Sequence, residues 1–273
     1  MSKAAGLLRV AVAGASGRMG RTVLRAIAES DDCLLSGALV ASGNSDLGLD
    51  TGSLIGIPTS DVVLTDDAEA AIAGADAVID FTRPAVSIRL LPIAAKNRAA
   101  HVIGTTGFSP GQEAEIKSAA QEGTIVKSGN MSRGIALLTS LVKQAAKALP
   151  NFDIEIVEMH HRMKVDAPSG TALLLGESAA AGRGVALGDL AVRGRNGHIG
   201  ERKGGAIGFA SLRGGTVVGE HQVVLAGPHE RIALTHIAED RRIFAEGALA
   251  AARWAKGKPT GLYNMADVLG LGR

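Results

Sequence analysis

Cysteine is nearly absent from the sequence, and the one present, Cys33, has nothing to pair with. A disulfide framework and a cysteine-based structural zinc site are thereby excluded, and a cytoplasmic location is expected. A surplus of either charge is missing too: 29 Lys and Arg stand against 27 Asp and Glu, a formal charge of +2. Without a basic bias, no nucleic-acid partner is expected. Long apolar runs are also lacking, the longest falling well short of the roughly 18 residues a membrane span requires. Arg9 interrupts the N-terminal run before it could form a signal-peptide core, so a chain starting near Met1 with no membrane partner is expected. No internal repeat and no low-complexity tract is found.

Glycine, by contrast, is plentiful at 36 of 273 residues, roughly twice the usual share of about 7%. With no collagen-like period to absorb them, these glycines must serve turns and close backbone approaches. At 46% hydrophobic and 21% charged residues, the chain is globular rather than disordered, and its length suits two modest domains.

The first half alternates short apolar runs with amphipathic stretches. Residues 7–13, 34–40, 77–81, 102–104 and 124–127 read as strands, and 18–29, 85–97 and 110–121 as helices. That alternation predicts an α/β arrangement, a parallel sheet with right-handed crossovers, while 43–59 reads as a loop. After Asn130 the pattern changes. A helix over 135–149, a strand over 154–159, a helix from the Pro168-Ser169-Gly170-Thr171 turn to about 181, and a long loop over 182–205 follow in turn. Strands over 207–213, 217–226 and 231–238, the last two joined by Gly227-Pro228-His229-Glu230, read as bunched antiparallel strands of a second, α+β domain. A last helix over 241–255 is expected to pack back on the first domain.

The first strand ends on Gly14-Ala15-Ser16-Gly17-Arg18-Met19-Gly20, and a helix begins within it. Glycines there let backbone approach a pyrophosphate, and the helix N-terminus supplies N–H groups and a positive dipole end. The acidic residue that usually holds the adenosine ribose, about 20 residues on, has no counterpart in Leu39-Val40-Ala41-Ser42. Asp46 and Asp50 lie later, as poor substitutes. Arg18, Arg21 and Arg83 are candidates for a 2′-phosphate. Asp80-Phe81-Thr82-Arg83-Pro84 and Gly104-Thr105-Thr106-Gly107-Phe108 follow the third and fourth strands, where such a sheet binds its ligand.

The densest chemistry is Glu158-Met159-His160-His161-Arg162-Met163-Lys164-Val165-Asp166-Ala167-Pro168-Ser169-Gly170-Thr171. Backbone N–H groups, two hydroxyls and a helix dipole at Ser169 to Thr171 make an anion site suited to a carboxylate, with charge available from Arg162 or Lys164. Adjacent strand residues point to opposite faces, so His160 and His161 are poorly placed to chelate one ion, and the remaining histidines show no ligand spacing. No metal is expected.

The segment from His160 to Ala172 resembles the signature of the 4-hydroxy-tetrahydrodipicolinate reductase family, also called dihydrodipicolinate reductase. The likeness extends through Gly14 to Gly20, Asp80 to Pro84, Gly104 to Phe108, Gly129-Asn130-Met131-Ser132, Gly219-Glu220-His221 and Gly261-Leu262-Tyr263-Asn264-Met265. The resemblance implies a Rossmann-like dinucleotide-binding domain over 1–130, an α+β substrate-binding and tetramerisation domain over 131–240, and a helical segment over 241–273 returning to the first. It implies His160 as proton donor or acceptor, Lys164 as proton donor, and His161, Gly170 and Thr171 as holders of a small dicarboxylate substrate. Cofactor contacts, with NADPH or NADH, are implied for Gly14, Ala15, Ser16, Gly17, Arg18, Met19, Gly104, Thr105, Thr106, Ser128, Gly129, Asn130 and Met131, in a homotetramer. Val40 and Ala41 replace the acidic residue and Arg of many members, so the preferred cofactor does not carry over. The rival readings are another amino-acid-pathway dehydrogenase of aspartate or homoserine type and an inert nucleotide sensor. A sensor has no need of an acid beside a carboxylate site.

Overall fold

The structure, a computed structural model, describes residues 6–271 and separates into two compact units. The first comprises the described residues up to Ser132 and those from Arg241 onward, and the second is Arg133–Asp240.

The first unit runs β1 (Leu8–Ala13), α1 (Arg18–Ala28), β2 (Cys33–Leu39), α2 (Thr51–Ile55), β3 (Leu64–Thr65), α3 (Ala68–Ile72), β4 (Ala77–Asp80), α4 (Pro84–Lys96), β5 (Ala100–Ile103), α5 (Pro110–Ala119) and β6 (Thr124–Lys127). After the second unit it is completed by α8 (Arg242–Ala255), β12 (Gly261–Tyr263) and α9 (Met265–Val268). Every residue of β4 and β5 is buried, Asp80 and His101 included, as befits parallel strands covered on both faces. Helix α1 buries Val23, Leu24, Ala26 and Ile27 along one stripe. The strand order β12-β6-β5-β4-β1-β2-β3 reverses direction between β1 and β4. Such a reversal opens a crevice beyond the carboxyl ends of the two strands, where doubly wound sheets bind ligands.

The stretch 43–59, expected as a loop, contains α2. Its start rests on a contact distant in sequence: Asp50 accepts from the Gly52 N–H at 2.7 Å and from the Ser60 N–H at 3.0 Å. The chain stops in the left-handed region at Gly56, φ +73°.

The second unit holds α6 (Arg133–Ala148), β7 (Asp153–His160), α7 (Gly170–Gly182), β8 (Ala191–Val192), β9 (Ile207–Arg213), β10 (Gly219–Ala226) and β11 (Arg231–Ala238). Its sheet has the order β11-β10-β7-β9-β8. The expected bunch of antiparallel strands is corrected here. Strands β10 and β11 form a hairpin and β10 runs against β7, but β9 lies parallel to β7 and to β8. Helix α7 and the long segment after it carry the chain back across the layer, so β9 runs in the direction of β7, as crossovers require. That segment, read as a bare loop over 182–205, carries a single 3₁₀ turn, Gly188–Leu190, and β8. It is pinned by Arg195, bidentate to Glu155, and by Arg202, which reaches Asp153 and Glu155. Ile154, Ile156, Phe209, Val223 and Leu225 of the sheet pack with Ile135, Leu138 and Leu175 of the helices into one core.

Candidate active site

The loop after β1 needs its glycines for unequal reasons. Gly14 sits at φ +72°, and a Cβ there would meet Thr82 Cγ2 at 2.9 Å. At Gly20 a Cβ would lie 2.1 Å from the Gly14 carbonyl oxygen, because α1 is seated directly on the loop. Gly17 is looser, at 3.2 Å from the same oxygen. It is the N-cap of α1, with no side-chain cap and no acidic residue in the first turn. Nothing there competes with an external anion for the helix N–H groups. Ala15 is fully buried, so it can offer only backbone.

Beside the loop opens a cavity of about 500 Å³ whose lining includes Gly17, Val40, Ser42, Asn44, Arg83 and Arg89. Asn44 donates to Ser16 Oγ at 3.2 Å, which ties the loop after β2 to the glycine loop. Of the arginines considered for a 2′-phosphate, Arg21 is spent on Asp46 and on the Ser16 carbonyl, whereas Arg83 lines the cavity. Arg89, one turn and a half along α4, lines it too, as does Asp66 after β3; no sequence motif marks either, because their elements meet the cavity only through the sheet order. Asp46 and Asp50 are both engaged elsewhere in the fold.

Asp80, at the end of β4, opens a loop motif in the sequence, and the structure gives it a constructive role. Its fully buried carboxylate accepts from Thr82 N at 2.8 Å, from Thr82 Oγ1 at 2.6 Å and from Thr105 Oγ1 at 3.4 Å, and lies 3.2 Å from His101 Nε2. Burial alone would raise its pKa, but the bonds from His101 and the threonine hold it below the ordinary value. One carboxylate thus fastens the loops after β4 and β5 together. Gly104 is required because Phe81 lies across it, 2.2 Å from where a Cβ would stand. In the next loop, Ser128 Oγ donates to the Asn130 carbonyl at 2.8 Å and Asn130 Oδ1 accepts from Ser132 N at 2.8 Å. Met131 is 1% exposed, so its side chain anchors this loop rather than facing a ligand.

In the second unit, β7 delivers Glu158 and His160 to the same face, two residues apart. The Glu158 carboxylate, 1% exposed, binds Arg213 through the two terminal guanidinium nitrogens, Nη1 and Nη2, at 2.8 and 2.9 Å. It also accepts from Ser169 N at 3.2 Å and lies 2.6 Å from His160 Nδ1. Burial raises its pKa, but Arg213 and His160 outweigh burial and hold it down at about 2. For His160, burial pushes the pKa below the ordinary value against the pull of Glu158, and the positive charges of Lys164 and Arg213 add to the depression. His221, on β10, meets the His160 ring edge-on at 5.1 Å and lies 2.8 Å from Ser169 Oγ. Burial and the neighbouring His160 lower it to about 4, so it is neutral near pH 7.

Ser169 caps α7, its hydroxyl accepting from Ala172 N at 3.1 Å, while Gly170 is exposed with open space around its missing Cβ. Thr171 follows, half-buried. His161 leaves the strand and is held through its N–H on the Val217 carbonyl at 2.8 Å. Lys164 Nζ donates to Asp166 at 2.9 Å, and that bond lowers the Asp166 pKa. The sequence cluster is thus brought together within one strand, turn and helix. Arg213 and His221 were not singled out for it, since they arrive from β9 and β10. Among the described residues, no group of three or more His, Cys, Asp or Glu side chains could hold a metal ion, and no helix is long and apolar enough to cross a membrane.

A family model described as dihydrodipicolinate reductase, N-terminus, matches residues 8–131, and one described as dihydrodipicolinate reductase, C-terminus, matches 134–269. A 4-hydroxy-tetrahydrodipicolinate reductase of Rhodopseudomonas palustris is 59% identical over 266 residues, covering 97% of each chain. One of Parvibaculum lavamentivorans is 60% identical over 267 residues, covering 97% of this chain and 98% of its own. Among solved structures, the dipicolinate-bound dihydrodipicolinate reductase from Paenisporosarcina sp. TG-14 is similar with a TM-score of 0.76 and 25% identity, over 96% of this chain and 98% of that one.

Proposed function

The chain belongs to the dihydrodipicolinate reductase family, and from that membership we infer that it reduces 4-hydroxy-tetrahydrodipicolinate to tetrahydrodipicolinate with NAD(P)H, in lysine and diaminopimelate biosynthesis. The observation that carries this reading is His160, a titratable group in a buried network, sharing one strand, turn and helix with the N-terminus of α7. An acid and an anion site so joined suit protonation of a bound dicarboxylate. Dipicolinate, the ligand of the Paenisporosarcina relative, is a compound of that class.

The uncapped start of α1 and the adjoining cavity fit a dinucleotide. Gly14, Ala15, Ser16, Gly17, Arg18 and Met19 hold its pyrophosphate, while Gly104, Thr105, Thr106 and Ser128 to Met131 support the ribose and nicotinamide. When bound, the reduced nicotinamide supplies a hydride to a ring carbon of the conjugated imine that forms as water leaves. His160 then protonates the enamine-like product. Lys164 exchanges Asp166 for the substrate and shares the proton delivery, and His161, Gly170 and Thr171 hold the carboxylates. A steady-state assay of NAD(P)H oxidation, with substrate generated in situ from pyruvate and aspartate semialdehyde, tests the reading. No oxidation above the substrate-free control would overturn it.

Both cofactors serve. Val40 and Ala41 present no carboxylate to repel a 2′-phosphate, and Arg83 and Arg89 share the cavity with Asp66. Discrimination of tenfold or less, about 1.4 kcal/mol, is expected; a ratio of kcat/KM values beyond about a hundred would contradict it. The enzyme works as a cytoplasmic homotetramer. Support for the assembly comes from Leu212 and Ile237, 50% and 58% exposed, which stand beside Met159 and Glu220 on the sheet face opposite the core. Exposed apolar side chains on such a face invite a partner, and sedimentation of the purified chain gives its state.

A further inference from the structure

We propose that Glu158, clamped by Arg213, is the positioning residue that fixes which nitrogen of His160 carries the working proton. The proposal rests on the reductase reading, in which His160 is the acid. Glu158 is enclosed by the Arg213 fork, by Ser169 N and by His160 Nδ1, with the Ser211 side chain bonded to it as well. Arg213 also donates to the Asp166 and Leu212 carbonyls, each at 2.6 Å, so the clamp is tied to the turn that carries Lys164. An ionised carboxylate can only accept. The hydrogen bond at 2.6 Å therefore places a proton on Nδ1, and in the neutral ring Nε2 is bare. In the imidazolium, Nε2–H is the proton free to leave.

Space at Nε2 is kept open by Gly219, where a Cβ would stand 3.0 Å from that nitrogen. No hydrogen bond occupies Nε2 among the described residues. The charged and titratable groups around the ring are Glu158 on its own strand, Arg213 from β9, His221 from β10 and Lys164 from the turn, with Asp166 beyond Lys164; Glu158 is the anion that bonds the ring. It holds the tautomer and favours the imidazolium. Through Ser169 N the same carboxylate also sets His160 relative to the start of α7, so acid and carboxylate site share one support.

Glu158→Gln separates this from a purely structural buried ion pair. An amide can donate to Nδ1, which moves the ring proton to Nε2. Nitrogen-15 shifts of His160 in the free protein, above its titration, are expected to show Nδ1–H in the wild type and Nε2–H in the variant. The kcat of the variant should fall at least a hundredfold while the KM for NAD(P)H stays within about threefold. The limb of the pH profile due to His160 should move to lower pH, since the anion that favours the imidazolium is gone. Glu158→Asp keeps the charge, and should keep the wild-type tautomer and recover part of the rate.

A wild-type His160 with its proton on Nε2 overturns the proposal whatever the variants do, and so does a folded Glu158→Gln enzyme with kcat within threefold of wild type. The tautomer is read without substrate. An absence of NAD(P)H oxidation by the wild type would therefore strike the reductase reading and leave the tautomer result standing.

Discussion

The N-terminus of α1 is made of glycine backbone, whereas that of α7 is backed by buried side chains. Gly17 starts α1 with no side-chain cap, and Gly20 lets the helix sit on the loop at a distance no Cβ would permit. Ser169 starts α7 with its hydroxyl on Ala172 N and its own N–H on Glu158, which also engages His160 and Arg213. Both ends offer N–H groups and a positive dipole to an anion. On the proposed reading, the difference follows from what each must do. A nicotinamide brings its own reactivity, so backbone that approaches closely is enough to hold it. Delivering a proton requires a titratable ring whose charge and tautomer are set by neighbours, and only side chains supply those.

The sharpest way to break that contrast is His160→Gln. The ring's size and hydrogen bonding are approximated but its titration is lost, so kcat should fall about 10² to 10⁴-fold with the KM for NAD(P)H nearly unchanged. His161→Gln should appear mainly in the substrate KM, and Lys164→Met should follow His160→Gln if Lys164 shares the proton. Steady-state kinetics on one substrate preparation separates the three variants. Next in size is Thr171→Val, which removes a hydroxyl from the proposed carboxylate site. A loss of about 1.5 to 3 kcal/mol in kcat/KM is expected, borne by substrate and not by cofactor.

Much of this division is legible in the sequence because both helix starts are local. Gly14 to Gly20 and His160 to Thr171 each lie within one strand, turn and helix, so spacing alone places them. What was not legible comes from sheet order. Arg213 and His221 join the second cluster from strands more than 50 residues away from their partners Glu158 and Ser169, at separations of 55 and 52. Asp66 and Arg89 reach the first cavity from β3 and α4 in the same manner. The short helix α2 escaped notice because its start depends on Ser60 reaching back to Asp50, a contact without periodicity. The parallel course of β9 escaped because strand direction depends on where the connection travels, and apolar patterning does not record that.

A smaller effect sharpens the comparison from the side of packing. Gly20→Ala should destabilise the protein by about 1 to 3 kcal/mol and raise the KM for NAD(P)H. Gly170→Ala should stay within about 0.5 kcal/mol, because nothing lies within 4 Å of its missing Cβ. Urea unfolding of the two variants decides, and equal destabilisation would mean the two helix starts are packed alike.

The smallest effect concerns pH. His221 has a folded pKa near 4 against an ordinary 6.5, so between these values the unfolded chain binds a proton that the folded one refuses. Its contribution to stability is intact above 6.5 and is lost as pH falls toward 4. In His221→Gln, the urea midpoint should fall less steeply across that window than in the wild type.

The division of labour is tested most directly by a double-mutant cycle on Gly20→Ala and His160→Gln, read as kcat/KM for NAD(P)H with substrate saturating. If one helix start holds the cofactor and the other network moves the proton, the two losses should add to within about 0.5 kcal/mol. A coupling beyond about 1 kcal/mol would show that the glycine loop and His160 act as one unit, and would contradict the account.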